Sequence, residues 1–235
     1  MLRKPDKHGQ FRGGSHKRSG RPKRGARASE RHKVRPRLLG HQPVHVIMRA
    51  DPSIGSLRRH GIFIAIREAT FTAFRRADSF HIVHLSIQRT HIHMIVEASD
   101  RLALAKGMQV FGISAAKHIN AALGGRRGTV FTDRYHAKIL TSPRQVRNTI
   151  NYVLNNWRHH GEDKQPLKHP RRVDPYSSAL VFDGWKERED KQMLYKVPSG
   201  YNGPLVWRPK TWLLRLGWRR YRLVSAFEVP GGGDE

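Results

Sequence analysis

The chain has 235 residues, with 45 Lys and Arg against 18 Asp and Glu, a formal net charge of +27 before any of its 15 His is counted. The absence of Cys excludes disulfides, thiolate metal sites and Cys nucleophiles, and no apolar run approaches the roughly 18 residues of a membrane span. A surplus of this size calls for a polyanionic partner, so the chain is expected to be nucleic-acid-directed and cytoplasmic, nucleoid-associated when bound, with no membrane role.

Residues 1–40 hold 14 Lys and Arg, 2 acidic residues and few apolar ones. Such a segment cannot bury enough apolar surface to offset its ordering entropy, so it is expected to be a disordered basic arm. PVHVIMRA (43–50) reads as a strand, broken by Asp51-Pro52-Ser53. Residues 56–77 are long enough for a helix, although GIFIAI alone could be a strand. FHIVHLSIQ (80–88) alternates, with Val83, Leu85 and Ile87 expected on one side. Arg89-Thr90 forms a tight link to HIHMIVEA (91–98), where Ile92, Met94 and Val96 share a side. Leu104, Met108, Phe111, Ala115, Ile119 and Ala122 recur at helical spacing, which predicts an amphipathic helix over 102–123, ended by Gly124-Gly125. TVFTDRYHAKIL (129–140) reads as a turn into a strand. Ser142-Pro143-Arg144-Gln145 then supplies an N-cap, a Pro at the first helical position and a capping-box Gln, opening a helix that runs to about residue 159. Residues 161–235 form a C-terminal extension expected to wrap the domain, with a short helix or strand near its end.

Hairpins alternating with helices suit an α+β layer, an antiparallel sheet with helices packed on one face, over residues 41–160. On its central hairpin, His91 and His93 project from the side opposite Ile92, Met94 and Val96. A two-residue turn sets Gln88 opposite His91 and Ser86 opposite His93. Two imidazoles at this spacing can grip one divalent ion, needing a third ligand and open positions for substrate. On the last helix Val146, Ile150, Val153 and Trp157 mark the buried stripe, and Tyr152 and Asn156, four apart, stand together beside it. A phenol can attack phosphorus and store the bond energy as a phosphotyrosine. The neighbouring amide can complete the metal shell; Asn155 adjoins Asn156, and the spacing favours Asn156.

HIHMIVEA resembles the His-hydrophobic-His strand of the single-tyrosine HUH transposases, the group that includes the REP-associated tyrosine transposases. YVLNNWRHHG is similar to their helix carrying the nucleophilic Tyr with an amide four positions later, and GTVFTDRYHAKIL to the basic stretch before it. The resemblance covers about 41–160. It implies a ferredoxin-like fold, with His91, His93 and Asn156 binding Mg²⁺ or Mn²⁺ and Tyr152 as the nucleophile. It also implies a function in DNA transposition: nicking and rejoining single-stranded DNA through a 5′-phosphotyrosine. The family often has Pro directly after the amide residue, where this chain has Trp157.

Arg126, Arg127, Arg134, His136, Lys138, Arg144 and Arg147 surround this pair of motifs and, with Tyr135, fit a groove for single-stranded or hairpin-forming DNA. A non-catalytic, domesticated binding protein on the same fold is the alternative, as is a replication-initiator-type nickase. A histidine-triad hydrolase would need His where Ile95 stands, and relaxases place their Tyr before the His pair. Pattern alone leaves a homodimer open.

Overall fold

The computed structural model describes residues 36–162, 173–189, 203–204 and 206–231. Residues 1–35 of the expected basic arm lie outside them. The chain divides after Pro36, and every element below belongs to the unit that starts at Arg37, the C-terminal extension included.

Four strands build one antiparallel sheet: β1 (Val44–Arg49), β2 (Phe80–Ile87), β3 (His91–Ala98) and β4 (His136–Ile139), in the order β2-β3-β1-β4. With α1 (His60–Arg76) between β1 and β2 and α2 (Arg101–Ala122) between β3 and β4, this is the ferredoxin-like βαββαβ arrangement. GIFIAI falls inside α1, because a 17-residue amphipathic run can bury Ile62, Phe63 and Ile66 on one stripe. No helix among the described residues is long and apolar enough to cross a membrane.

Alternation in the strands divides the sheet into two faces. Val44, Val46 and Met48 of β1 and Ile92, Met94 and Val96 of β3 join α1 and α2 in the main core. On the other face lies α3 (Pro143–His159), whose Val146, Ile150, Val153 and Leu154 pack with Ile95, Leu140 and the C-terminal residues Phe182, Trp185, Leu214 and Trp218. Thus α1 and α2 cover one face as the hairpin pattern implies, while α3 and the extension cover the second. With both faces covered, every residue of β2 is buried. One detail departs from simple alternation. The β2–β3 register shifts between Ile82 and His84, which turns Val83 to the α3 side while Leu85 and Ile87 stay in the main core.

The start of α3 is written locally. Ser142 accepts from the Gln145 amide at 3.3 Å, and Pro143 occupies the first turn. The Gln145 side chain reaches back to the Thr141 amide at 3.0 Å, one residue earlier than a standard capping box. The rest of its position comes from far along the chain. Arg147 pairs with both oxygens of Glu228, Asn155 donates to the Ser225 carbonyl at 2.9 Å, and Arg158 donates to the Ala226 carbonyl at 2.8 Å. The extension also carries the short helix expected near its end, α4 (Trp212–Arg215). Its approach is held by Glu97, which accepts from the Lys210 and Thr211 amides. Trp218 is buried, whereas Trp212 and Tyr221 are exposed.

Two stability predictions follow from this packing. A Cβ added at Gly107 of α2 would lie 2.1 Å from Cγ of the buried Phe80 ring. The overlap outweighs the helical gain of Ala over Gly, so Gly107→Ala is expected to cost about 2 kcal/mol. A denaturant midpoint at or above the wild-type value would refute the close contact. The second concerns His84, enclosed on the α3 side, edge-on to Phe182, with Nδ1 3.4 Å from Ser178 Oγ. Burial holds its pKa down to about 4, against a weaker upward pull from Asp183. The unfolded chain takes up this proton near pH 6.5 and the folded chain only near 4. Stability is therefore full above 6.5 and falls as pH drops through that window, by at most about 1.4 kcal/mol per pH unit for one such group. Denaturation series between pH 7 and 4 should show about one proton fewer bound on unfolding in His84→Gln, and an unchanged pH slope would count against the assignment.

Candidate metal and nucleophile site

The face of the sheet covered by α3 carries an unusual imidazole cluster. On β3, His91 and His93 point to this side, and His45 on β1 does too, opposite to Val44 and Val46. Nε2 of His91 and Nε2 of His93 face each other at 2.8 Å. Two ligand nitrogens bound cis on one ion at about 2.1 Å each are separated by about 3.0 Å, so the pair is spaced to share a cation. Nδ1 of His91 lies 3.1 Å from Thr90 Oγ1, and Nδ1 of His93 lies 3.1 Å from Nε2 of His45.

Burial is the main reason these rings are neutral. It holds His91 down to about 4, helped by His160 and Arg49, and His45 down to about 4, helped by His136 and Lys138. His93 is held lowest, by burial and then by His91, His45 and His160. Neutral imidazoles keep the lone pair that a metal needs, so the environment favours ligation over a proton.

Helix α3 brings its polar line onto this cluster. The Tyr152 ring stands edge-on to His93 at 5.1 Å between centroids and to His45 at 5.9 Å. Eight residues later the His160 ring is 5.9 Å from His91. Tyr152, Asn156 and His160 lie on one line of the helix, about 12 Å long. Asn156 falls between these two contact points along the chain of α3. Asn156 is fully buried, and among the described residues neither its Oδ1 nor its Nδ2 has a hydrogen-bond partner. Its neighbour Asn155, equally buried, donates its Nδ2 to Asn151 Oδ1 and to the Ser225 carbonyl, and its Oδ1 too is without a partner among the described residues. Among the described residues no group of three His, Asp or Glu is placed to hold an ion. A bound ion would therefore draw on His91, His93 and a neutral oxygen, and the unpaired Asn156 amide fits that requirement.

Gln88 adds another buried oxygen without a partner among the described residues. Its Nε2 donates to Ser86 Oγ at 2.7 Å, its Oε1 is unpartnered, and it lines a cavity of about 340 Å³ with Thr90, His91 and His160. A larger cavity of about 680 Å³ opens on the other side of Tyr152, lined by His45, Lys138, Asn148 and Thr149.

The basic residues divide. Lys138, opposite His45 in the β1–β4 ladder, reaches the cavity beside Tyr152, and His136 is exposed on the same strand. Arg134 precedes β4 rather than belonging to it, because the strand is only four residues long. Arg127 and Arg144 are exposed. Arg126 ties the loop after α2 together through Asn120, Thr129 and Ser53, and Arg147 is engaged by Glu228. Two members of the cluster escaped motif reading. His45 had a signal in the alternation of PVHVIMRA, and His160 one in its eight-residue offset from Tyr152. Glu228, which also takes the Asn151 amide at 2.8 Å, had none.

Residues 44–156 match the family model described as transposase IS200 like. No curated protein matches the chain. One solved structure, described as the REP-associated tyrosine transposase bound to a REP hairpin, is 16% identical, covers 76% of this chain and 91% of its own, and superposes with a TM-score of 0.49. Another, a candidate transposase from Deinococcus radiodurans R1, is 14% identical, covers 60% of this chain and 100% of its own, and gives 0.34.

Proposed function

We propose that residues 44–156, which match the IS200-like transposase family model, form a domain that nicks and rejoins single-stranded DNA through Tyr152. The observation that carries this reading is the Tyr152 ring set against His93 at 5.1 Å, beside two converging Nε2 atoms and the unpaired Asn156 amide. His91, His93 and Asn156 would hold Mg²⁺ or Mn²⁺, which when bound supplies Lewis acidity at a phosphate oxygen and at the departing 3′-oxygen.

The chain's own groups do the rest. Tyr152 Oη attacks the scissile phosphorus, the P–O3′ bond breaks, the phenolic proton passes to water and one returns to the 3′-oxygen. The 5′-phosphotyrosine keeps the energy of a phosphodiester, so the free 3′-hydroxyl of the same or another strand can reverse the step without ATP. Tyr152 adjoins the His pair of its own chain, which supports cleavage within one subunit. Lys138 beside the cavity, with exposed His136, Arg127 and Arg144, supplies phosphate contacts near the cut.

The test is mass spectrometry of the protein after incubation with single-stranded oligonucleotides that form a hairpin, with Mn²⁺ present. A Tyr152-linked nucleotide supports the reading. Binding without an adduct under any strand or metal condition favours the non-catalytic alternative.

A further inference from the structure

His93 has both ring nitrogens committed. Nε2 faces His91 Nε2 at 2.8 Å, and Nδ1 faces His45 Nε2 at 3.1 Å. A neutral imidazole carries one N–H and one lone pair, so it can offer Nε2 to a cation only if its proton sits on Nδ1. That proton needs an acceptor at Nδ1, and His45 Nε2 is at hydrogen-bond distance.

The placement of His45 comes from the sheet. Ile47 is the residue directly opposite His93 in the β1–β3 ladder, so His45 is its diagonal neighbour on the same face. The two rings lie 5.3 Å apart between centroids with planes 22° apart, close enough to coplanar for an in-plane hydrogen bond between Nδ1 and Nε2. His91 is treated differently. Its Nδ1 meets Thr90 Oγ1, a hydroxyl that can donate or accept and therefore does not select a tautomer.

We propose that His45 is a positioning residue that locks His93 as its Nδ1–H tautomer, with the Nε2 lone pair aimed at the divalent ion. It acts through His93 and rests on the reading of His91 and His93 as the ion-holding pair. Partners of this kind on metal-bound histidines are typically worth about 10–100-fold in affinity.

The experiment measures Mn²⁺ affinity of the full chain, free of DNA, by electron paramagnetic resonance, with long-range ¹H–¹⁵N spectra of the metal-free protein at a pH well above the imidazole range. His45→Phe keeps a ring but removes the acceptor, and is expected to weaken Mn²⁺ about 10–100-fold. His45→Gln places an amide oxygen near the position of Nε2 and is expected to restore most of that loss. In the wild type His93 should be Nδ1-protonated, and in His45→Phe it should shift toward the Nε2-protonated form. Wild-type affinity in His45→Phe, or equal losses in the Phe and Gln variants, overturns the proposal. Should His45→Phe not fold, an Nε2-protonated His93 in the wild type overturns it alone. His93→Ala separates the two levels: if it leaves Mn²⁺ binding unchanged, the ion-site reading falls and this proposal with it. If it abolishes binding while His45→Phe does nothing, only the role of His45 falls.

Discussion

Tyr152→Phe is expected to abolish covalent capture of DNA while leaving the fold and DNA binding intact. The Phe ring keeps the edge contacts of Tyr152 with His45 and His93, so the imidazole cluster is unchanged. Only the hydroxyl is lost, and Tyr152 is half-buried at the wall of the larger cavity, so stability should change by less than about 1 kcal/mol. No other phenol lies against the histidine pair among the described residues. Removing a nucleophile that has no substitute typically costs roughly 10⁴-fold or more in rate. The assay follows a 3′-labelled single strand, because the fragment carrying the new 5′-phosphate is the one that becomes attached to protein. Adduct from the Phe variant at a rate near wild type would eliminate Tyr152 as the nucleophile. Loss of adduct accompanied by loss of binding would show a structural effect instead.

Asn156→Leu is expected to separate stability from activity. Asn156 is fully enclosed, with both amide atoms unpaired among the described residues, an arrangement that costs the folded state about 1–3 kcal/mol. Leu has the same branching and no polar atoms, so it should raise the unfolding free energy by an amount in that range. The same change removes a neutral oxygen from the proposed ion site, so Mn²⁺ affinity should fall at least about 10-fold and adduct formation with it. A protein destabilised by Asn156→Leu would mean that the amide has a stabilising partner, and unchanged Mn²⁺ binding would remove Asn156 from the site. Asn155→Leu is the contrast. Its amide serves Asn151 and the Ser225 carbonyl, so that variant should lose stability through the α3 anchor.

Much of the candidate site was legible because its residue types are carried by short-range periodicity. The period of two in HIHMIVEA puts His91 and His93 on one face whatever the strand pairs with, and the turn at Arg89-Thr90 places Ser86 opposite His93. The helical period likewise puts Tyr152, Asn156 and Trp157 at fixed angles, and Ser142, Pro143 and Gln145 mark where that helix begins. Reading failed where pairing or docking intervenes. Val83 changed face because a register shift is a property of two strands, not one.

Sequence by itself determined which side chains share a face: the His pair on its strand, the Tyr and amide on their helix, and a charge that demands a polyanion. Only the tertiary structure decided which of these faces meet. His45 reaches His93 because β1 lies beside β3, across 48 residues of chain. Asn155 spends its Nδ2 on the Ser225 carbonyl, 70 residues on, whereas Asn156 has no such anchor among the described residues. Arg147 goes to Glu228 and not to the open groove for the same reason. Side-chain direction follows backbone geometry over a few residues, whereas partners follow from how distant segments pack, and local periodicity holds no record of that.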